Sequence, residues 1–336
     1  MKEIIKKILK YVLSATLAIG LLWISFRDVE WTEFMQGVRS CRWEYIVLSM
    51  VAGSVAFWLR GLRWRRLLLP IDDSLSRMTA FNGVNIGNIS NFVFPRIGEF
   101  VRCGVIVRRS LPVSESEPLK KKASYDKVLG TVVLERSWEL LVMLLLLAFV
   151  LVCGFDRYGA FFVEKIWQPM SQQLDFSLWW LVAPVMVLCV LAGYLMWHLR
   201  DSNSFCNRVW GIFRGIGQGF LSCLRMERKW LFFLYTLLIW GVYWLMAAST
   251  MWAAPFLGHL DLVDALFLSL VGGLGFAVPV PGGIGAFHFI ISMTLSVMYG
   301  VPVEMGVVYA TLSHTSQAVT QILFGVFSSI YEALKR

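Results

Sequence analysis

Six stretches of about twenty mostly apolar residues recur along this chain, at about 8–26, 44–62, 128–153, 177–199, 230–254 and 304–331. Each is long enough to cross the hydrocarbon core of a bilayer as a helix. Two further apolar regions, 79–107 and 264–300, are interrupted by Gly, Pro and polar residues. Only 16% of the residues are charged, against about 25% in a soluble domain. With 15 Trp, 24 Phe and 14 Met among 336 residues, a compact soluble fold could not hide its apolar surface. This excludes a soluble enzyme, a disordered chain and, despite the net charge of +9, a nucleic-acid-binding domain. What remains is an all-α polytopic membrane protein with its basic residues in loops. The six cysteines (Cys41, Cys103, Cys153, Cys189, Cys206, Cys223) show no CxxC and no ligand-like spacing with the four histidines. No disulfide, metal site or cofactor is therefore expected.

Charge placement orients the spans. Lys2, Lys6, Lys7 and Lys10 precede the first one, which predicts a cytoplasmic N-terminus. No small-residue cleavage site follows the apolar run, so this helix is expected to stay uncleaved. The second span returns to the cytoplasm at Arg60, Arg63, Arg65 and Arg66. Region 79–107 is flanked by Arg77 on one side and by Arg108, Arg109, Lys120, Lys121, Lys122 and Lys127 on the other. Both its ends therefore belong to the cytoplasm, as a re-entrant hairpin requires. The basic segment 200–229 and the terminal Lys335-Arg336 also read as cytoplasmic. Region 264–300 then begins and ends outside. The scheme leaves Arg27, Arg39, Arg42, Arg157 and Lys165 outside, and Arg96 and Arg136 at membrane depth.

The expected architecture is six full transmembrane helices plus two broken re-entrant hairpins in an inverted-topology repeat, all within one transmembrane domain. Residues 1–43 form an N-terminal helix and outer loop, and 44–153 the first repeat. Residues 154–229 form a connecting helix and cytoplasmic loop, and 230–331 the second repeat. Interrupted hydrophobic segments in matching places of opposed halves point to a binding site near the midplane.

Ionisable groups at that depth face a cavity or each other. Asn82, Asn85, Asn88 and Asn91 recur every third residue, a drifting polar stripe on a helix. Pro95 then breaks the chain. A helix restarting there would set Arg96, Glu99 and Arg102 on one side. Two guanidiniums around one carboxylate, next to a helix N-terminus, describe a receptor for an anionic group such as a lipid phosphate. A structural ion cluster pinning the hairpin tip fits the same residues. On the third span Glu135 and Glu139 share a face, and Arg136 reaches Glu139 at i+3. Arg96 or Arg102 are the expected partners of Glu135, either as a fixed pair or as a gate. In the second broken region, Pro279, Pro281, Gly282, Gly283 and Gly285 cannot continue a helix; close packing and anion-binding amides are both open readings. His288 follows, and His314, Gln317 and Gln321 make a stripe on the last span, as satisfied core residues or as proton carriers.

Taken together, Pro95-Arg96-x-Gly98-Glu99-x-x-Arg102, Glu135-Arg136 opening an apolar span, and Pro279-x-Pro281-Gly282-Gly283-x-Gly285 resemble the transmembrane region of lysylphosphatidylglycerol synthases. The resemblance covers about residues 8–330. It implies a multi-pass protein of the bacterial inner membrane, with both termini cytoplasmic, moving an aminoacylated or other anionic phospholipid between leaflets. The cytosolic aminoacyl-transfer domain of the full-length synthases has no counterpart up to Arg336, so no enzymatic activity is expected. His288 stands where many relatives carry an acidic residue. The expected partner is a membrane phospholipid; a second copy of the chain or a separate lipid-modifying enzyme stays open. A scaffold for such an enzyme and a small-solute or ion transporter are the alternative functions.

Overall fold

The structure is a computed structural model that describes residues 2–110, 123–159 and 226–335, with isolated positions between 163 and 198 and side chains from Tyr11 onward. The expected span at 177–199 and the basic segments 120–122 and 200–225 fall almost wholly outside these residues. Every regular element among the described residues is helical.

Helix α1 (Lys2–Phe26) is followed, after a bend of 88°, by α2 (Trp31–Ser40). The outer loop expected at this point is therefore a short amphipathic helix. Its Phe34 and Gly37 are buried, and Gly37 lies against Met305 and Val308. Helix α3 (Trp43–Leu68) runs six residues beyond the apolar stretch read from the sequence. Helix α4 (Arg77–Val93) opens with Ser76, whose hydroxyl accepts from the Thr79 amide, and closes just ahead of Pro95. That is where a residue preceding proline leaves the helical region. Helix α5 (Gly98–Arg109) and helix α6 (Tyr125–Cys153) follow, the latter ending in a π-helical turn, Phe155–Gly159. After the break come α7 (Lys229–Ala253), α8 (Leu262–Gly275), α9 (Ala286–Tyr299) and α10 (Val303–Leu334). A capping box of Asp261 and Asp264 starts α8. Gly300, in the left-handed conformation, stops α9 with bonds back to Ser296 and Leu295 through its own and the Val301 amide, the glycine-ended helix closure. Among the described residues, four segments are long and apolar enough to cross a membrane: α3, α6, α7 and Pro281–Tyr299; the bent α1–α2 pair, taken as one span, makes a fifth.

Each broken region folds back on itself. Helices α4 and α5 run antiparallel and so close that a Cβ on Gly98 would lie 1.9 Å from the Gly87 carbonyl oxygen. Asn91 Oδ1 caps the turn by accepting from the Gly98 amide at 2.7 Å. Helices α8 and α9 do the same: Gly275 rests on the backbone of Phe287, and at the far end the Tyr299 hydroxyl donates to Asp264 at 2.8 Å.

Helix α10, about 48 Å long at 1.5 Å per residue, is the spine that both hairpins lean on. Gly306 packs on Ser292 of α9, His314 reaches Gly282 in the second turn, and Gly325 packs on Ile89 of α4. Near the end of α10, Glu332 accepts from Asn82 of α4 at 2.7 Å and from Arg109 of α5 at 2.6 Å. The open end of the first hairpin thus sits at the C-terminus of α10. The open end of the second sits near its N-terminus and the end of α6. Between them the two tips touch: Arg96 donates to the Ala277 carbonyl at 2.6 Å, and Gly282 presses against the Phe92 ring. Helix α1 seals this junction, with Tyr11 on Phe94, the Ser14 hydroxyl donating to the Pro279 carbonyl, and Ala18 against Gly285.

Candidate functional site: a buried charge cluster

Three helices bring seven charged side chains together. From α3 come Arg60 and Arg63, from α5 Glu99 and Arg102, and from α6 Glu135, Arg136 and Glu139. Spacing explains the convergence: i, i+3 on α3 and on α5, and i, i+1, i+4 on α6, each place their groups toward one side of the helix. At the closed end Glu135 accepts from Arg102 at 2.7 Å and from Arg63 at 3.4 Å. All three side chains are at most 2% exposed. Arg63 also bonds Glu139, which takes Arg136 at 3.0 Å and has Arg60 at 3.8 Å. Glu99 completes the chain through Arg136 at 3.2 Å, where the arginine side chain is 38% exposed. The cluster is therefore sealed at Glu135 and open at Arg136.

Four guanidiniums face three carboxylates, which leaves one net positive charge. Arg60 Nε, Arg63 Nε and Nη1, Arg102 Nε and Nη2 and Arg136 Nε are buried without a hydrogen-bond partner, as is Glu99 Oε2. A buried guanidinium donor left unmatched is costly, and these nitrogens are fixed in place. Arg102 lies 4.7 Å over the Trp64 ring, whose indole N–H is held by Thr131 at 3.1 Å. Arg63 lies 5.9 Å over Phe232. A rigid set of unpaired guanidinium N–H groups in an apolar wall is the chemistry that binds phosphate.

The structure rearranges several expectations. Arg96 does not share a helix face with Glu99 and Arg102, because α5 begins only at Gly98. Pro95 and the left-handed backbone of Arg96 (φ 62°) delay the restart, and the exposed Arg96 side chain reaches across to the opposite hairpin instead. Glu99 therefore orients Arg136 rather than Arg96 and Arg102. Of the two partners expected for Glu135, only Arg102 meets it. The largest departure is Arg60 and Arg63, which belong to the buried cluster and not to a loop after the span, since α3 continues as a helix past them.

The remaining candidates form other groups. Asn82, Asn85 and Asn88 are buried along the α4–α10 seam, Asn85 facing Ser328 at 3.4 Å, while Asn91 serves the first turn. Gly282, Gly283 and Gly285 have φ of 58°, 77° and 82°, conformations that favour glycine. Each is also packed closely enough that a Cβ would collide, with Phe92, Phe276 and the Ala18 carbonyl respectively. Pro281 opens the short 3₁₀ turn that carries them. His288 and His314 sit together behind this turn, with ring centroids 5.0 Å apart. Gln317 reaches Ser49 of α3, its Nε2 3.1 Å from the hydroxyl.

At the opposite end of the molecule a second ionic knot holds the open end of the α8–α9 hairpin. Buried Asp264 accepts from the hydroxyls of Tyr158 (2.7 Å) and Tyr299 and pairs with Arg157 at 2.8 Å. Burial and the bond to Asp264 push the Tyr158 hydroxyl above its ordinary range. Partial burial works against the charge on Arg157, but Asp264, Tyr158, Tyr299 and Asp261 together outweigh it and raise that guanidinium too. Every acceptor of Asp264 is engaged, so this knot is an anchor for the hairpin.

A search of curated proteins finds no match, and neither does a search of solved structures. Residues 8–325, with the charge cluster and both hairpin turns inside them, match the profile of the lysylphosphatidylglycerol synthase TM region, and the chain belongs to that family.

Proposed function

We propose that this chain is a lipid transporter of the bacterial inner membrane, moving an anionic or aminoacylated phospholipid between leaflets with no catalytic step of its own. The observation that carries the reading is the one uncompensated positive charge of the cluster, with six buried guanidinium nitrogens unmatched, four of them on Arg63 and Arg102. A head-group phosphate entering past Arg136 would meet them, and the free Glu99 Oε2 lies where the ammonium of an aminoacyl or zwitterionic head group would follow. Membership of a lipid-related membrane family points the same way.

The hairpins support an inverted repeat. Helix α3, the α4–α5 hairpin and α6 would correspond to α7, the α8–α9 hairpin and α10. The two hairpins open toward opposite ends and meet at their tips, and α3 packs along α7 as the central pair. On this reading both hairpins are re-entrant and both termini are cytoplasmic.

The test is leaflet exchange of a fluorescent phosphatidylglycerol in vesicles containing the purified protein, read by dithionite quenching of the outer leaflet. Arg102→Lys keeps the charge beside Glu135 but removes the extra guanidinium donors, so exchange should fall at least tenfold while the fold persists. A well-folded Arg102→Lys and a well-folded Arg63→Lys that both exchange lipid at the unmodified rate would overturn the assignment.

A further inference from the structure

The charge cluster makes no use of the two imidazoles at the second hairpin turn. His288, in the first turn of α9, and His314, at the middle of α10, are 5% and 6% exposed. The space around them is aromatic: Phe276 stacks on His314 at 5.9 Å, Phe287 lies 5.6 Å from it, and Phe26 of α1 lies 6.2 Å from His288. His314 Nε2 is 2.9 Å from the Gly282 carbonyl oxygen. A carbonyl only accepts, so Nε2 carries the hydrogen and Nδ1 of the neutral ring holds the lone pair. His288 Nδ1 is buried with no partner.

Neither ring makes an ion pair among the described residues. The groups that face them are the three phenylalanines, from α1, the turn after α8 and α9, and the Gly282 carbonyl. The charged side chain at this junction is Arg96 of the first hairpin, itself bonded to the Ala277 carbonyl. A proton added to either imidazole would thus make a cation walled in by phenyl rings and without a counter-charge among the described residues. Such a charge is tolerated only by gaining water. The route to water is separation of the tips, because the same turn is what Phe92, Arg96 and Ser14 hold closed. Both imidazoles neutral favour docked tips; one proton favours parted tips.

We propose that the His288–His314 pair is a proton-binding site whose occupancy parts the two hairpin tips. The docked state belongs to pH well above the ordinary imidazole value of about 6.5, and the parted state to acid. As a source of coupling for lipid movement this rests on the transport reading above; the proton site itself does not.

The experiment uses the full chain in phosphatidylglycerol-containing vesicles and follows hydrogen exchange of peptides spanning 276–290 between pH 8 and pH 5. Comparison with His288→Gln/His314→Gln at each pH cancels the intrinsic chemistry of exchange. Protection of this segment in the unmodified chain should fall at least tenfold more on acidification than in the double variant. His288→Phe, which suits the aromatic surroundings and leaves the His314–Gly282 bond, is the second comparison and should lose most of the response. Identical pH profiles in the unmodified chain and either variant would overturn the site. Lipid exchange in the same vesicles separates the two ideas. Tips that part in acid with no lipid movement at any pH would sink the transport reading and leave the proton site. Lipid movement that is indifferent to pH while the tips respond would sink the coupling.

Discussion

Replacing Glu135 by glutamine removes one charge and almost no volume from the most enclosed point of the cluster. In the unmodified chain its two oxygens hold Arg102 at 2.7 Å and Arg63 at 3.4 Å, with no exposure of either Glu135 or Arg63. Charge centres about 4 Å apart at an effective dielectric of about 20 attract by roughly 4 kcal/mol. The variant forfeits that attraction and leaves Arg102 buried without a carboxylate, while Arg63 keeps Glu139. Breaking a buried pair in this way typically costs about 3–5 kcal/mol, and relief of Glu135's own desolvation places the expectation near the lower end, about 3 kcal/mol. Equilibrium unfolding in mixed micelles measures it. The companion Glu135→Gln/Arg102→Gln removes both charges of the shorter pair and should recover about half of the loss, so the two single losses should sum to well above the double one in a double-mutant cycle. Since Glu135→Gln raises the net charge of the cluster, phosphatidylglycerol should restore more stability to the variant than to the unmodified chain. A single-variant loss under about 1 kcal/mol with no coupling would refute the idea that the cluster is a preorganised ionic network.

Three other outcomes follow from particular contacts. Gly98→Ala places a Cβ 1.9 Å from the Gly87 carbonyl oxygen, so α4 and α5 must separate; a loss of about 3 kcal/mol is expected, read by thermal unfolding, with the amides of 91–98 exchanging faster. Trp64→Phe deletes the bond to Thr131 and weakens the ring under Arg102, costing about 1–2 kcal/mol and slowing lipid exchange. Asp264→Asn removes the ion pair with Arg157, which keeps Asp261 at 3.2 Å; because Arg157 is half exposed, the stability loss should stay at about 2 kcal/mol, the order of one charged hydrogen bond, with faster hydrogen exchange at 261–267 and no change at the first hairpin.

Elements set by local chemistry could be read from the sequence closely. The third and fifth apolar stretches, 128–153 and 230–254, become Tyr125–Cys153 and Lys229–Ala253. The turns fall at Pro95 and at Pro279 to Gly285, where backbone chemistry permits nothing else. Helix α2 escaped notice because its ten residues bury only Phe34 and Gly37, too little apolar periodicity to stand out beside a true span. The left-handed turn at Arg96 was equally hidden: a non-glycine residue adopts it only under tertiary constraint, here the bond to Ala277 and the closure of the first hairpin.

The charge cluster divides along the same line. Glu135, Arg136, Glu139 and Arg102 stood out because each is a charge embedded in apolar neighbours. Arg60 and Arg63 lie in an unbroken basic run with Arg65 and Arg66, and a basic run at the end of a span normally marks the membrane boundary. Composition cannot tell a guanidinium that stops at the boundary from one that turns inward, since burial depends on which helix faces it. Yet charge balance does contain the missing signal. Two carboxylates on one face of α6, with Arg136 the one cation of that helix within two turns of them, demand further cations from another element. Arg60 and Arg63, at i, i+3 beside Trp64, lie on one helical face near the end of a span that packs against the first half of α6. Balancing charges across spans, rather than along each one, would have moved these two arginines from the loop into the site.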